Sequence, residues 1–233
     1  MTSIAANLQA VRQRIADSAL AAGRSTDSVG LLAVSKTWPA ESVREAASAG
    51  QRCFGENYVQ EGVDKIRALS DLALEWHFIG PLQSNKTRPV AEHFDWVHSV
   101  DRLKIAERLA AQRGSDRSPL NLCIQVNLGG EASKSGVAPE TCAELAQAVA
   151  RLPHVRLRGL MCIPEADGGG EVTRMRFAQL RALRDSLVER GLALDTLSMG
   201  MSEDLELAVA EGSTLVRVGS AIFGSRDGYG ANT

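Results

Sequence analysis

The feature that most constrains this chain is a recurrence. Short apolar runs, each bounded by Gly, Asn, Ser or Pro, return eight times along 233 residues. They read LLAVS from 31, QRCFG from 51, EWHFIG from 75, DWVHSV from 95, NLCIQVNL from 121, RLRGLMCI from 156, DTLSMG from 195 and TLVRVG from 214. Runs of this length between turn residues read as buried strands. Helical patterns fill the gaps, over 39–49, 58–69, 101–112, 139–152, 172–190 and 202–211, and an amphipathic helix over 3–21 precedes the first strand. One unit, QSNKTRPVAEHF, is the weakest helix because Pro89 interrupts it. Strand alternating with helix calls for a parallel sheet covered by helices. Eight such units without a Pro- or Ser-rich linker predict one α/β domain over 1–233, a (β/α)8 barrel of the TIM type, with an open doubly wound sheet as the alternative.

Charge and composition narrow the partner. The formal net charge of -2 lacks the basic excess that nucleic acid or an anionic membrane selects, so neither is expected as a partner. The N-terminus has no basic segment followed by an unbroken apolar one, and no apolar run could span a bilayer, so a cytoplasmic protein is expected. Cys53, Cys123, Cys142 and Cys162 stand far apart, which predicts core residues rather than a zinc or disulfide framework. His77 and His98 lie in apolar strands with His93 and His154 beside them, and all four read as packing or rim residues. No metal is expected from their spacing.

Active sites of such barrels sit at the C-terminal ends of the strands. There LLAVSKTWP places Lys36, whose amine among apolar neighbours loses hydration, so that its neutral form can attack a carbonyl. The same lysine could simply snorkel to solvent. Strand eight, TLVRVGSAIFG, delivers Gly219 and Ser220 to the region where barrels bind phosphate, although a tight turn would also use Gly219. In SMGMSED, Ser202 is placed to N-cap a helix, with Ser198 on the other side of the turn. Arg217, flanked by valines, must find an acceptor: a salt bridge inside the barrel or an aromatic base. Asn57, in FGEN, is either a ring-edge hydrogen-bonding group or a helix cap.

Taken together, SKT, FGEN, IGPLQSNK, SKSG, SMGMSED and RVGSAIFG resemble the pyridoxal phosphate homeostasis protein family over nearly the whole chain. The resemblance implies a barrel like the N-terminal domain of alanine racemase, the fold type III of pyridoxal 5′-phosphate (PLP) proteins. It implies PLP held covalently on Lys36 as an aldimine, Arg217 facing the pyridine nitrogen and Asn57 beside the cofactor. Ser202, Gly219 and Ser220 would hold the phosphate, with Met201 and Ser198 as neighbours, and Lys134 of the SKSG loop would lie near the cavity. The implied activity is cytoplasmic PLP homeostasis by a monomer that carries or buffers the cofactor, passes it to apo PLP-dependent enzymes, and turns nothing over. An arginine at the ring nitrogen weakens the ring as an electron sink. Of the two tyrosines, Tyr58 and Tyr229, neither is evidently placed for proton transfer. The alternatives are a racemase-like PLP enzyme of low activity and an aldolase using Lys36 on a phosphorylated sugar.

Overall fold

A computed structural model describes residues 3–130, 135–164 and 169–224. Helix α1 (Ile4–Ala21) leads into β1 (Gly30–Val34), α2 (Ala40–Ser48), β2 (Cys53–Glu56), α3 (Val59–Ala68) and β3 (Glu75–Phe78). The chain continues through α4 (Thr87–His93), β4 (Trp96–Val100), α5 (Leu103–Gln112), β5 (Leu120–Gln125), α6 (Pro139–Val149) and β6 (Val155–Met161). It ends with α7 (Gly169–Glu189), β7 (Thr196–Ser198), α8 (Leu205–Ala210), β8 (Leu215–Val218) and α9 (Ser220–Phe223). All strands pair in parallel and in chain order into one closed barrel. Closure is made by β8 against β1, with Gly30 opposite Leu215, Leu32 opposite Arg217 and Ala33 opposite Val218. The open-sheet alternative is therefore excluded. No described helix is long and apolar enough to cross a membrane.

Pro89 does not break its helix. It falls in the first turn of α4, where its missing N–H would have had no intrahelical acceptor, and a 3-10 turn over Ser84–Lys86 leads in.

Two cores result from the period-two alternation of the strands. The larger lies between sheet and helices and includes Phe54, Phe78, Phe94, Ile105, Leu109 and Phe177, all buried. Phe78 and Phe94 meet edge to face with centroids 5.5 Å apart. Each such side chain contributes about 1.5–3 kcal/mol by leaving water. The smaller cluster, inside the barrel, comprises Trp96, Cys123 and Met161. Where barrels usually stack branched apolar side chains, this one buries His77, His98, Ser198 and Arg217.

One glycine is fixed by sterics between β7 and α8. Gly200 has φ +96, and a Cβ there would lie 2.4 Å from the Cβ of Ala208. Gly200→Ala should destabilise the fold by about 1–3 kcal/mol, seen as a lower urea midpoint at unchanged m-value; an unaltered midpoint would contradict this packing.

Candidate functional site at the barrel mouth

The C-terminal ends of the strands surround a cavity of about 600 Å³. Its lining brings together Lys36, Asn57, Met201, Ser202, Arg217, Gly219 and Ser220, along with Trp38, Thr173 and Asp204. Seven of the residues expected at the site thus line one cavity, whereas Ser198, fully buried, lies behind Arg217 and is not in the lining. Lys134 lies outside the described residues.

Lys36 follows β1 and is fixed by its neighbours on both sides. Ser35 is fully buried, and its hydroxyl donates to Glu56 Oε1 at 2.6 Å. Thr37 adopts φ +69, a left-handed conformation that a β-branched residue rarely takes. Its N–H donates to Glu61 Oε1 at 2.5 Å. One buried cation joins these anchors: Lys65 Nζ donates to Ser35 O at 2.7 Å, Glu56 Oε1 at 2.7 Å and Glu61 Oε1 at 2.6 Å. Burial pushes the Glu56 carboxyl upward, and the nearby Lys65 opposes that shift. The sequence reading missed Lys65 and Glu56. The signal available, two charged residues on otherwise apolar faces of α3 and β2, does not say that they meet.

Asn57 leaves β2 against the end of β3. A Cβ on Gly80 would fall 2.1 Å from the Asn57 carbonyl oxygen, so only glycine permits this approach. Asn57 Oδ1 is buried and has no hydrogen-bond partner among the described residues. On the far side, Gly219 sits where a Cβ would be 3.1 Å from Val34 O of β1, and the single turn of α9 follows at once. Ser202 is not a helix cap. Asp204 precedes α8, and its Oδ1 accepts the Met201 N–H at 2.5 Å. The Ser202 hydroxyl faces Ser220 Oγ instead, 3.4 Å away.

Arg217 is 5% exposed, and no described carboxylate is bonded to it, so the salt-bridge alternative does not apply. Nη1 donates to Ser198 O at 2.6 Å and Ser198 Oγ at 2.8 Å, and Nη2 donates to Cys162 O at 2.9 Å. Burial lowers its pKa, but a guanidinium stays charged at neutral pH. These bonds leave N–H donors for a ligand in the cavity.

His77 and His98 are buried, as expected of packing residues, and are hydrogen-bonded as well: His98 Nδ1 lies 2.8 Å from Ser198 Oγ, and His98 Nε2 lies 2.8 Å from His77 Nδ1. One carboxylate is close, with His77 Nε2 2.9 Å from Glu75 Oε1. His77 also stacks on Trp96, with centroids 5.2 Å apart.

Lys65→Met strands the Glu56 carboxylate and should cost about 3–5 kcal/mol, with partial recovery in Lys65→Met/Glu56→Gln; equal stability of the single variant and wild type would disprove the anchoring role. Burial is the leading cause that lowers the pKa of His77, and it lowers that of His98 well below the ordinary 6.5. The unfolded chain then binds protons that the folded one refuses, so stability should fall as pH drops below about 6.5. Urea midpoints between pH 7.5 and 5 should show this slope, reduced in His98→Gln.

Comparison with known proteins agrees with this geometry. A family model described as "Alanine racemase, N-terminal domain" matches residues 1–227. The pyridoxal phosphate homeostasis protein of Pseudomonas aeruginosa is 61% identical over 231 residues, covering 99% of this chain and 99% of that protein. The protein of the same name in Escherichia coli is 56% identical over 231 residues, covering 97% of this chain and 98% of its own. PipY of Synechococcus elongatus, solved with PLP bound, superposes with TM-score 0.85 at 43% identity over 95% of this chain and 100% of that one. Alanine racemase of Corynebacterium glutamicum, at 17% identity and TM-score 0.71, shares the fold over 94% of this chain and 62% of its own length. The chain is thus a member of the pyridoxal phosphate homeostasis protein family, within the wider alanine racemase N-terminal domain family.

Proposed function

We propose that this protein binds PLP in the mouth cavity and serves cytoplasmic PLP homeostasis as a monomeric carrier or buffer without catalytic turnover, with apo PLP-dependent enzymes as recipients. The observation that carries the reading is the convergence of an amine, a guanidinium and paired hydroxyls on one cavity: Lys36, Arg217, Ser202 and Ser220. The PLP-bound PipY relative supports the choice of ligand.

The residues present fit the cofactor. When bound, PLP supplies an aldehyde that condenses with a primary amine with loss of water. Lys36 supplies that amine. Arg217, which only donates, suits an unprotonated pyridine nitrogen. The Asn57 amide, with its oxygen buried and unpartnered among the described residues, suits a polar substituent on the ring. Ser202, Ser220 and the backbone at Gly219 offer donors to the phosphate, and Met201 closes the cavity beside them.

The same set argues against turnover. Arg217, which only donates, would keep a bound pyridine nitrogen unprotonated and the ring a weak electron sink. Tyr58 is exposed at the start of α3 and does not line the cavity, so the described residues offer no phenol for proton transfer there.

Wild-type protein incubated with PLP should show the visible absorbance of a lysine-bound cofactor, and borohydride should fix a pyridoxyl adduct on Lys36. Lys36→Ala should lose both; an unchanged spectrum and retention would refute the assignment. Arg217→Glu should favour ring protonation and alter the pH titration of the bound cofactor, and an identical titration would count against Arg217 at the ring nitrogen. Exchange of the α-proton of amino acids in deuterated water should be absent, whereas its appearance would revive the racemase reading.

A further inference from the structure

Arg217 and Glu75 occupy opposite ends of the barrel interior. Arg217 lies on β8 at the cavity, and Glu75 opens β3 at the N-terminal rim with 46% of its side chain exposed. An unbroken hydrogen-bonded path joins them through Ser198, His98 and His77, with links of 2.8, 2.8, 2.8 and 2.9 Å. Its three intermediate members are buried, at 0% exposure for Ser198, 0% for His98 and 2% for His77.

The two ends fix the direction of every link. Arg217 can only donate, so Ser198 Oγ accepts from it. The hydroxyl is then satisfied by donating its own proton to His98 Nδ1. That makes His98 the Nε2–H tautomer, which donates to His77 Nδ1. His77 in turn carries its proton on Nε2 and donates it to Glu75. The acceptor at the end is an ionised carboxylate, since the bond from His77 holds Glu75 below its usual range. Run the other way, the path would need a protonated Glu75 and would leave the Ser198 hydroxyl proton without an acceptor among the described residues.

We propose that Glu75, acting through His77, His98 and Ser198, is the remote counter-charge of Arg217 and sets how firmly that guanidinium holds a cofactor at the mouth. This rests on the PLP reading. Hydrogen bonds in a dry interior polarise one another, so an anion at one end makes each acceptor along the chain more basic. Ser198 Oγ thereby becomes a better acceptor for Arg217 than an isolated hydroxyl. A carboxylate in direct contact would instead occupy the guanidinium donors that face the cavity. Other charges stand nearby: Asp204 at the mouth acts on Arg217, and Asp95 and the Cys53 thiol flank Glu75 and His77 at the rim, but none lies on the path. Glu75, His77, His98 and Ser198 are positioning residues in this scheme, because none needs to touch the cofactor.

A double-mutant cycle tests the coupling. Glu75→Gln keeps an oxygen that accepts from His77 but removes the charge. Arg217 is then less compensated and should hold an anionic cofactor more tightly, so PLP release should slow by about two- to tenfold. In a Ser198→Ala background the same change should have no effect, because the path is cut; His98→Phe provides a second cut should the first variant fail to fold. Unchanged or faster release in Glu75→Gln, or an equal change in the cut backgrounds, overturns the proposal. The direction of the path has a readout that needs no cofactor. In PLP-free protein, ¹⁵N shifts of the imidazoles should show His77 and His98 neutral with the proton on Nε2, and a proton on His98 Nδ1 overturns the proposal whatever the cofactor does. Failure of the wild type to take up PLP would instead sink the parent reading, which keeps the two outcomes distinct.

Discussion

Arg217 cannot shed its proton, and it lies 5% exposed inside a closed barrel, so everything within reach must supply acceptors or counter-charge. Two carbonyls and a hydroxyl do the first directly. The interior that accommodates it holds two imidazoles and a serine where bulky aliphatic layers are the norm, with Trp96, Cys123 and Met161 as a small separate apolar cluster. Stability then rests chiefly on the outer core between sheet and helices, where the large aromatic and aliphatic side chains collect. The barrel interior is freed from holding the fold together and can carry a polar site.

A second buried cation supports the first strand from outside the barrel. Lys65 ties Glu56, Glu61 and the Ser35 carbonyl into one cluster, and that cluster holds Thr37 in its left-handed conformation. Lys36 is therefore presented from a backbone with little freedom to shift. An amine on a loose loop would be costly to orient for each encounter with a ligand; in the proposed role of Lys36 that orientation is built in during folding.

The architecture was legible in the sequence because period-two runs and helical spacing are local signals, and eight of each kind in alternation leave few ways to fold. Lys36 and Asn57 were legible for a related reason, since strand ends follow the apolar runs at fixed offsets, whereas Arg217, inside strand eight between valines, was assigned to the cavity only by the family resemblance. Pairings between distant strands were not legible. His77 and His98, 21 residues apart, meet because β3 pairs with β4, whereas His98 and Ser198, 100 residues apart on β4 and β7, meet only because the sheet curls into a barrel. The Ser202 cap failed because Asp204, two residues on, takes the N–H of Met201 and leaves Ser202 to the cavity. Pro89 was misjudged by position alone, since a proline in the first turn of a helix removes nothing that the helix needs.

Closure of β8 on β1 also has a temporal side. Lys36 comes from the first strand, and Arg217, Gly219 and Ser220 come from the last strand and the turn after it, so the cavity has no complete wall until the two meet. During synthesis the amine is made long before the guanidinium, and an unfinished chain offers a lysine like any other. On the proposed function, capture of a reactive aldehyde would thereby be reserved for chains that have finished folding, and occupancy of the cavity would report whether the barrel has closed.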